Sequence, residues 1–128
     1  MLKRTLLQTL MAGTILAATG LTAVAQDAFD GPTTGPKAAE GKTIVVLAGD
    51  LKNGGILGVT TGIEEAAAKI GWTVKVLDGA GSVQSRSAAV GQALALNPDG
   101  LVINGFDAAE QQAALEGVTA AGIPMVSW

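Results

Sequence analysis

Four short stretches hold most of the residues able to do chemistry: GDLKNGG (49–55), DGAGS (78–82), NGFDA (104–108) and SW (127–128). They bring Asp50, Lys52, Asn53, Asp78, Asn104, Phe106, Asp107 and Trp128. Carboxylates and amides accept from, or donate to, vicinal hydroxyls, and an aromatic ring packs on the apolar side of a sugar ring. Phe106 and Trp128 are two of the chain's four Phe and Trp residues. This mixture suits a neutral polyol better than an anion. Each residue also has a structural use: Asp107 as a helix cap, Asp50 and Asn53 as turn formers, Trp128 as core.

Other chemistries lack their tools. The 128 residues include no His and no Cys. The commonest general base, the commonest metal ligand, thiol nucleophiles and thiolate sites are therefore missing, as are disulfides. We expect no enzymatic activity, no cofactor and no metal. Three nucleotide-like signals are weak. GKT (41–43) precedes a strand instead of following one, and Pro36 stands where a phosphate loop needs its first Gly. GAGSVQ (79–84) follows a strand, but ends in Gln84 and belongs to the second strand, not the first. GDLKNGG lacks the dinucleotide spacing.

The polar stretches punctuate a regular pattern. TIVVLA (43–48) is an apolar, β-branched run of the kind buried on both faces of a sheet. Ile56, Val59, Ile63, Ala66 and Ile70 recur at helical spacing, and Gly71 is a helix stop. WTVKVL (72–77) is a second strand. Ser82 can cap a helix carrying Val83, Val90 and Leu94 that ends before Pro98. GLVIN (100–104) is a third strand. DAAE (107–110) has capping-box spacing and opens a helix through Leu115 and Val118, stopped by Gly122. IPMVS (123–127) is a fourth strand, expected at or near the sheet centre. The order β-α-β-α-β-α-β predicts a three-layer α/β fold, a parallel sheet with helices on both faces. In such sheets ligands lie beyond the carboxyl ends of the strands, where the polar stretches fall. A central fourth strand needs neighbours and a covering helix that this sequence does not supply. The chain therefore reads as truncated, and an open apolar edge would be an aggregation hazard.

Residues 1–25 read as a secretory signal peptide: a basic MLKR start, an apolar Leu6–Leu21 segment and an AVA site, with cleavage after Ala25. Gln8, Thr9, Thr14, Gly20 and Thr22 argue against a membrane anchor. Residues 26–42, rich in Pro, Gly, Thr and Ala, are a flexible lead-in. Removing the leader takes Lys3 and Arg4 with it and leaves a net charge of −5. That acidity excludes nucleic acid as a partner.

From Lys42 to Trp128 the chain resembles the amino-terminal lobe of the ribose- and galactose-type periplasmic sugar-binding proteins. GIEEAAAKIGW, a strand ending VLD, ALNPDGLVIN with an acidic helix start, and AAGIPMVSW carry the resemblance by their order and spacing. It implies a partial amino-terminal lobe (43–128) of a periplasmic solute-binding protein, which delivers a sugar or similar small polar ligand to the membrane permease of an ATP-driven ABC importer. The second lobe and hinge would follow Trp128. By position, Asn53 matches the family's polar residue in the first loop. Asp107 matches a carboxylate that accepts sugar hydroxyls, and Asn104 the Asn ending the third strand. Asp50 and Trp128 complete the expected half-cleft. Where ribose-type members carry a Pro and paired aromatics, this chain has Gly54, Gly55 and Ile56. The competing expectations are a nucleotide-binding α/β enzyme domain using GAGSVQ, and an inactive truncated fragment. The effector domain of a sugar-sensing regulator shares the fold, but would begin with a basic helix-turn-helix where this chain has its leader.

Overall fold

A computed structural model describes residues 34–128 of the chain. The expected signal peptide and the first part of the lead-in lie outside the described residues. The elements are β1 (Thr43–Ala48), α1 (Gly54–Lys69), β2 (Thr73–Asp78), α2 (Val83–Leu96), β3 (Gly100–Asn104), a 3-10 turn (Ala108–Gln111), α3 (Gln112–Ala120) and β4 (Met125–Ser127). The strands form one parallel sheet in the order β2-β1-β3-β4, with Val46 beside both Val76 and Val102, and Val102 beside Val126. The expected α/β architecture is therefore present.

Alternation along the strands assigns each residue to a face. Val45, Leu47, Leu101 and Ile103 face α2 and α3. They close a core with Ala89, Val90, Ala93, Leu115, Val118 and Ile123. Val46, Ala48 and Asn104 point the other way, toward α1, which buries Ile56, Thr60 and Ala67. β1 lies between two partners and its last four residues are almost wholly buried, as a two-sided apolar run requires.

Three sequence expectations shift. α1 does not bury the Ile56–Ile70 stripe as a whole: Ala66 is exposed and Ile70 is 44 % exposed, while Thr60 is buried. In α2 the tight contacts come from Ala89 and Ala93, whose small side chains let the helix approach the sheet, and Val83 at the helix start is exposed. β4 is not central among the described strands, because it pairs with β3 alone, and Val126 is 63 % exposed.

Helix ends follow the sequence closely. After α1, Trp72 N–H donates to Ala67 O and Gly71 N–H to Ala68 O. After α3, Ile123 N–H donates to Val118 O and Gly122 N–H to Thr119 O. Both are paired C-terminal bonds of the kind a left-handed glycine permits, and Gly71 and Gly122 stand at φ +73° and +70°. Ser82 caps α2 by accepting from Ser85 N–H, and left-handed Asn97 ends it before Pro98. The last residues of the lead-in are tied down: Trp72 Nε1 donates to Ala39 O (2.6 Å), and Lys42 pairs with Asp99 (2.8 Å).

Candidate functional site

The chain leaves β1 for β2 on one side and then crosses to β3 on the other. Strand order thus reverses between β1 and β3, the switch point at which open parallel sheets place a ligand crevice. The β1 loop carries Asp50 and Asn53, and the β3 loop carries Phe106 and Asp107. The topology therefore places these four residues at the switch point. Asp78 ends the neighbouring strand β2, and Trp128 follows β4.

On the β1 side, Asn53 is the N-cap of α1. Its Oδ1 accepts from Gly55 N–H (2.9 Å) and Ile56 N–H (3.4 Å), satisfying amides that a helix start leaves without partners. Its Nδ2 makes no hydrogen bond among the described residues. Asp50 Oδ1 accepts from Lys52 N–H (2.9 Å), closing an Asx turn. Asp78 Oδ1 accepts from Leu51 N–H (3.2 Å) and Ala80 N–H (2.9 Å), holding the β1 loop against the β2 loop. On the β3 side, Asp107 Oδ1 accepts from Ala109 N–H (2.9 Å) and caps the 3-10 turn. The turn and loop roles open to these residues are thus real, and they do not exhaust them. Capping fixes one polar atom of Asn53 and one of Asp107, which orients the second, Nδ2 and Oδ2, for another partner.

The capping box at Asp107 is half formed. Glu110 does not return to the cap but meets Arg86 Nη1 at 2.7 Å. A charge-assisted bond to a guanidinium outcompetes a neutral amide, and α3 begins only at Gln112, after the 3-10 turn. Arg86 also stands over the Phe106 ring, 5.1 Å from its centroid, with its stem against Gly79. Phe106 itself packs on the α2/α3 core. One face of that ring is therefore occupied, which leaves less of it for stacking than its sequence position implies.

Asn104 is fully buried. Its Nδ2 donates to Ile56 O (3.0 Å) and Thr60 Oγ1 (2.9 Å) on α1, so its side chain faces the helix and not the crevice. Trp128 is 69 % exposed; its backbone continues the β4–β3 pairing through Trp128 N–H to Ile103 O and Gly105 N–H to Trp128 O. The tryptophan is thus surface, not core.

Arg86 and Gln111 escape sequence reasoning. Buried Gln111 accepts from Ser87 Oγ (2.6 Å) and donates to Val83 O (3.2 Å), fastening the 3-10 turn to α2. No spacing marks either residue. The one available signal is Arg86's place one turn into a helix that starts from a strand end. Among the described residues no group of three or more His, Cys, Asp or Glu could hold a metal ion, and no helix is long and apolar enough to cross a membrane. GAGSVQ lies at the end of edge strand β2, and its Ser82 hydroxyl already occupies the α2 cap.

The fold defines a class: parallel α/β lobes whose strand order reverses at a switch point between β1 and β3. Within that class, a family model described as a periplasmic binding protein domain matches residues 44–128, and the chain belongs to this family. Its members are non-enzymatic solute binders that work with transporters, typically in the periplasm. No curated protein matches the chain significantly.

Proposed function

We propose that the protein is an exported solute-binding protein that captures a sugar or a similar small polar ligand in the crevice between the β1 and β3 loops and delivers it to the permease of an ATP-driven importer. The observation that carries this reading is the family match over residues 44–128, taken with the siting of Asn53 and Asp107 on the two loops that leave the switch point. Asn53 offers a donor and Asp107 an acceptor, each side chain already oriented by its own cap. A polyol carries hydroxyls that both accept and donate, so it can meet a donor on one loop and an acceptor on the other. Asp50 adds a second carboxylate on the β1 side, and exposed Trp128 an apolar surface beyond β4. In this reading the lobe is one wall of a cleft, closure against a second wall about a hinge completes the contacts, and no bond is made or broken. The leader at 1–25 supplies export, with cleavage after Ala25.

Thermal melting of the protein against pentoses, hexoses and amino acids tests the reading. A melting point raised by a sugar and unmoved by amino acids is the expected result, and no response to any of the three classes refutes the reading. Asp107→Asn sharpens the test, because Asn retains the capping oxygen and replaces Oδ2 by a donor. Its affinity for the responding sugar should fall about tenfold or more, the equivalent of one charge-assisted hydrogen bond, with its melting point nearly unchanged. Equal affinity in calorimetry would reduce Asp107 to a cap.

A further inference from the structure

The polar groups of Asn104 hold both ends of the loop that carries Asp50 and Asn53. Its carbonyl accepts from Gly49 N–H (2.8 Å), the first residue after β1. Its Nδ2 reaches Ile56 O and Thr60 Oγ1 just past the start of α1, and Thr60 Oγ1 itself donates to Ile56 O (2.9 Å). From Asn104 the chain passes through Gly105 straight into Phe106 and Asp107. The three segments touch there. A Cβ on Gly105, at φ +81°, would fall 2.4 Å from Ile56 Cδ1, and one on Gly49 would fall 2.7 Å from Gly105 O. Asn104 Oδ1 is buried without a hydrogen-bond partner. An orphaned buried acceptor is costly, and an aliphatic side chain of similar size would avoid that cost. What an aliphatic side chain would not supply are the two directed bonds of Nδ2 to α1.

We propose that Asn104 is a positioning residue that couples the two loops of the crevice, fixing Asn53 relative to Asp107 without touching ligand itself. The proposal rests on the reading that the crevice is the ligand site. It moves Asn104 from the ligand-contacting residues expected from sequence to the support behind them.

Asn104→Leu keeps the branching of the side chain in a somewhat larger volume, removes the directed bonds and leaves the backbone bond to Gly49 intact. Asn104→Ala, as a second variant, guards against misfit of the leucine. Amide hydrogen exchange on the full chain without ligand gives the first readout. Exchange at Gly55 and Ile56, whose N–H groups Asn53 holds, should quicken about tenfold relative to the α2 amides around Val90. Unchanged exchange at those amides in both variants overturns the coupling. The second readout is calorimetric affinity for D-ribose and D-galactose, expected to fall about tenfold in the variants at a temperature where each is folded. Quickened exchange with unchanged affinity overturns the positioning role and leaves a structural bond only. If the unmodified protein takes up neither sugar, these two are excluded as ligands independently of the coupling, which the exchange result alone decides.

Discussion

On the α2/α3 side of the sheet, Val45, Leu47, Leu101 and Ile103 close an apolar core with residues of two helices. On the α1 side, Val46 and Ala48 are equally buried, but the helix is held partly by hydrogen bonds, through Asn104 and Thr60. One helix covers less of that face. Toward the amino ends of the strands, a groove of about 410 Å³ lies open among Ile44, Trp72, Val102, Pro124 and Val126. The first face is held by area, which is forgiving of small rotations of a helix. The second is held by direction, which fixes how far α1 stands from the end of β3. The fixed helix is the one that carries Asn53 to the crevice.

The contrast breaks first if truncation costs the same on both faces. Ile103→Ala should lower unfolding free energy by about 2–5 kcal/mol, because it empties a closed apolar site. Val126→Ala, on the open face of β4, should stay within about 0.5 kcal/mol of the unmodified protein. Urea unfolding midpoints decide, and similar losses for the two would mean that the α1 face is covered after all.

A smaller effect isolates the directed bonds. Thr60→Val keeps the shape and removes both the acceptor for Asn104 Nδ2 and the donor to Ile56 O. We expect a loss of about 1–3 kcal/mol, since Asn104 would then have one acceptor fewer in a buried site. An unaffected midpoint would show that α1 is held by Ile56 and Ala67 packing, as α2 is by its alanines.

The same contrast explains what was legible beforehand. Strands β1 and β3, the glycine stops at 71 and 122, and the caps at Ser82 and Asp107 all follow local rules that the residue types satisfy by themselves. The siting of Asp50, Asn53 and Asp107 at strand ends follows from the parallel topology. What was not legible depends on partners distant in sequence. Thr60 is buried because Asn104, 44 residues away, bonds to it. Glu110 abandons its capping box because Arg86, 24 residues away, faces it. At the end of the GLVIN strand Asn104 reads as one of the ligand-contacting residues, and only the approach of α1 shows that its side chain is engaged elsewhere. Apolar periodicity counts area, so it found the α2/α3 face well and misjudged the helix that is held by polar bonds.

The smallest effect lies at the amino ends of the strands, beside the open groove. Asp99 accepts from Lys42 Nζ through Oδ1 (2.8 Å) and from Thr43 N–H through Oδ2 (2.8 Å), anchoring the start of β1. The bond to Lys42, then that to Thr43, holds its carboxyl below the ordinary 3.8. A carboxylate with a depressed folded-state pKa binds fewer protons folded than unfolded as pH falls past the ordinary value. Its stabilisation is therefore present above about pH 4 and is lost as pH drops through the folded value. Asp99→Asn should be slightly less stable than the unmodified protein at neutral pH, with the gap narrowing as pH falls toward 2 and also in high salt, because both partners are half exposed. Urea midpoints at the two pH values check this. A gap that survives at pH 2 would assign the anchor to the shape of the Asp99 side chain and its bond to Thr43, not to its charge, and would bring this corner of the molecule closer to the directed bonding of Asn104.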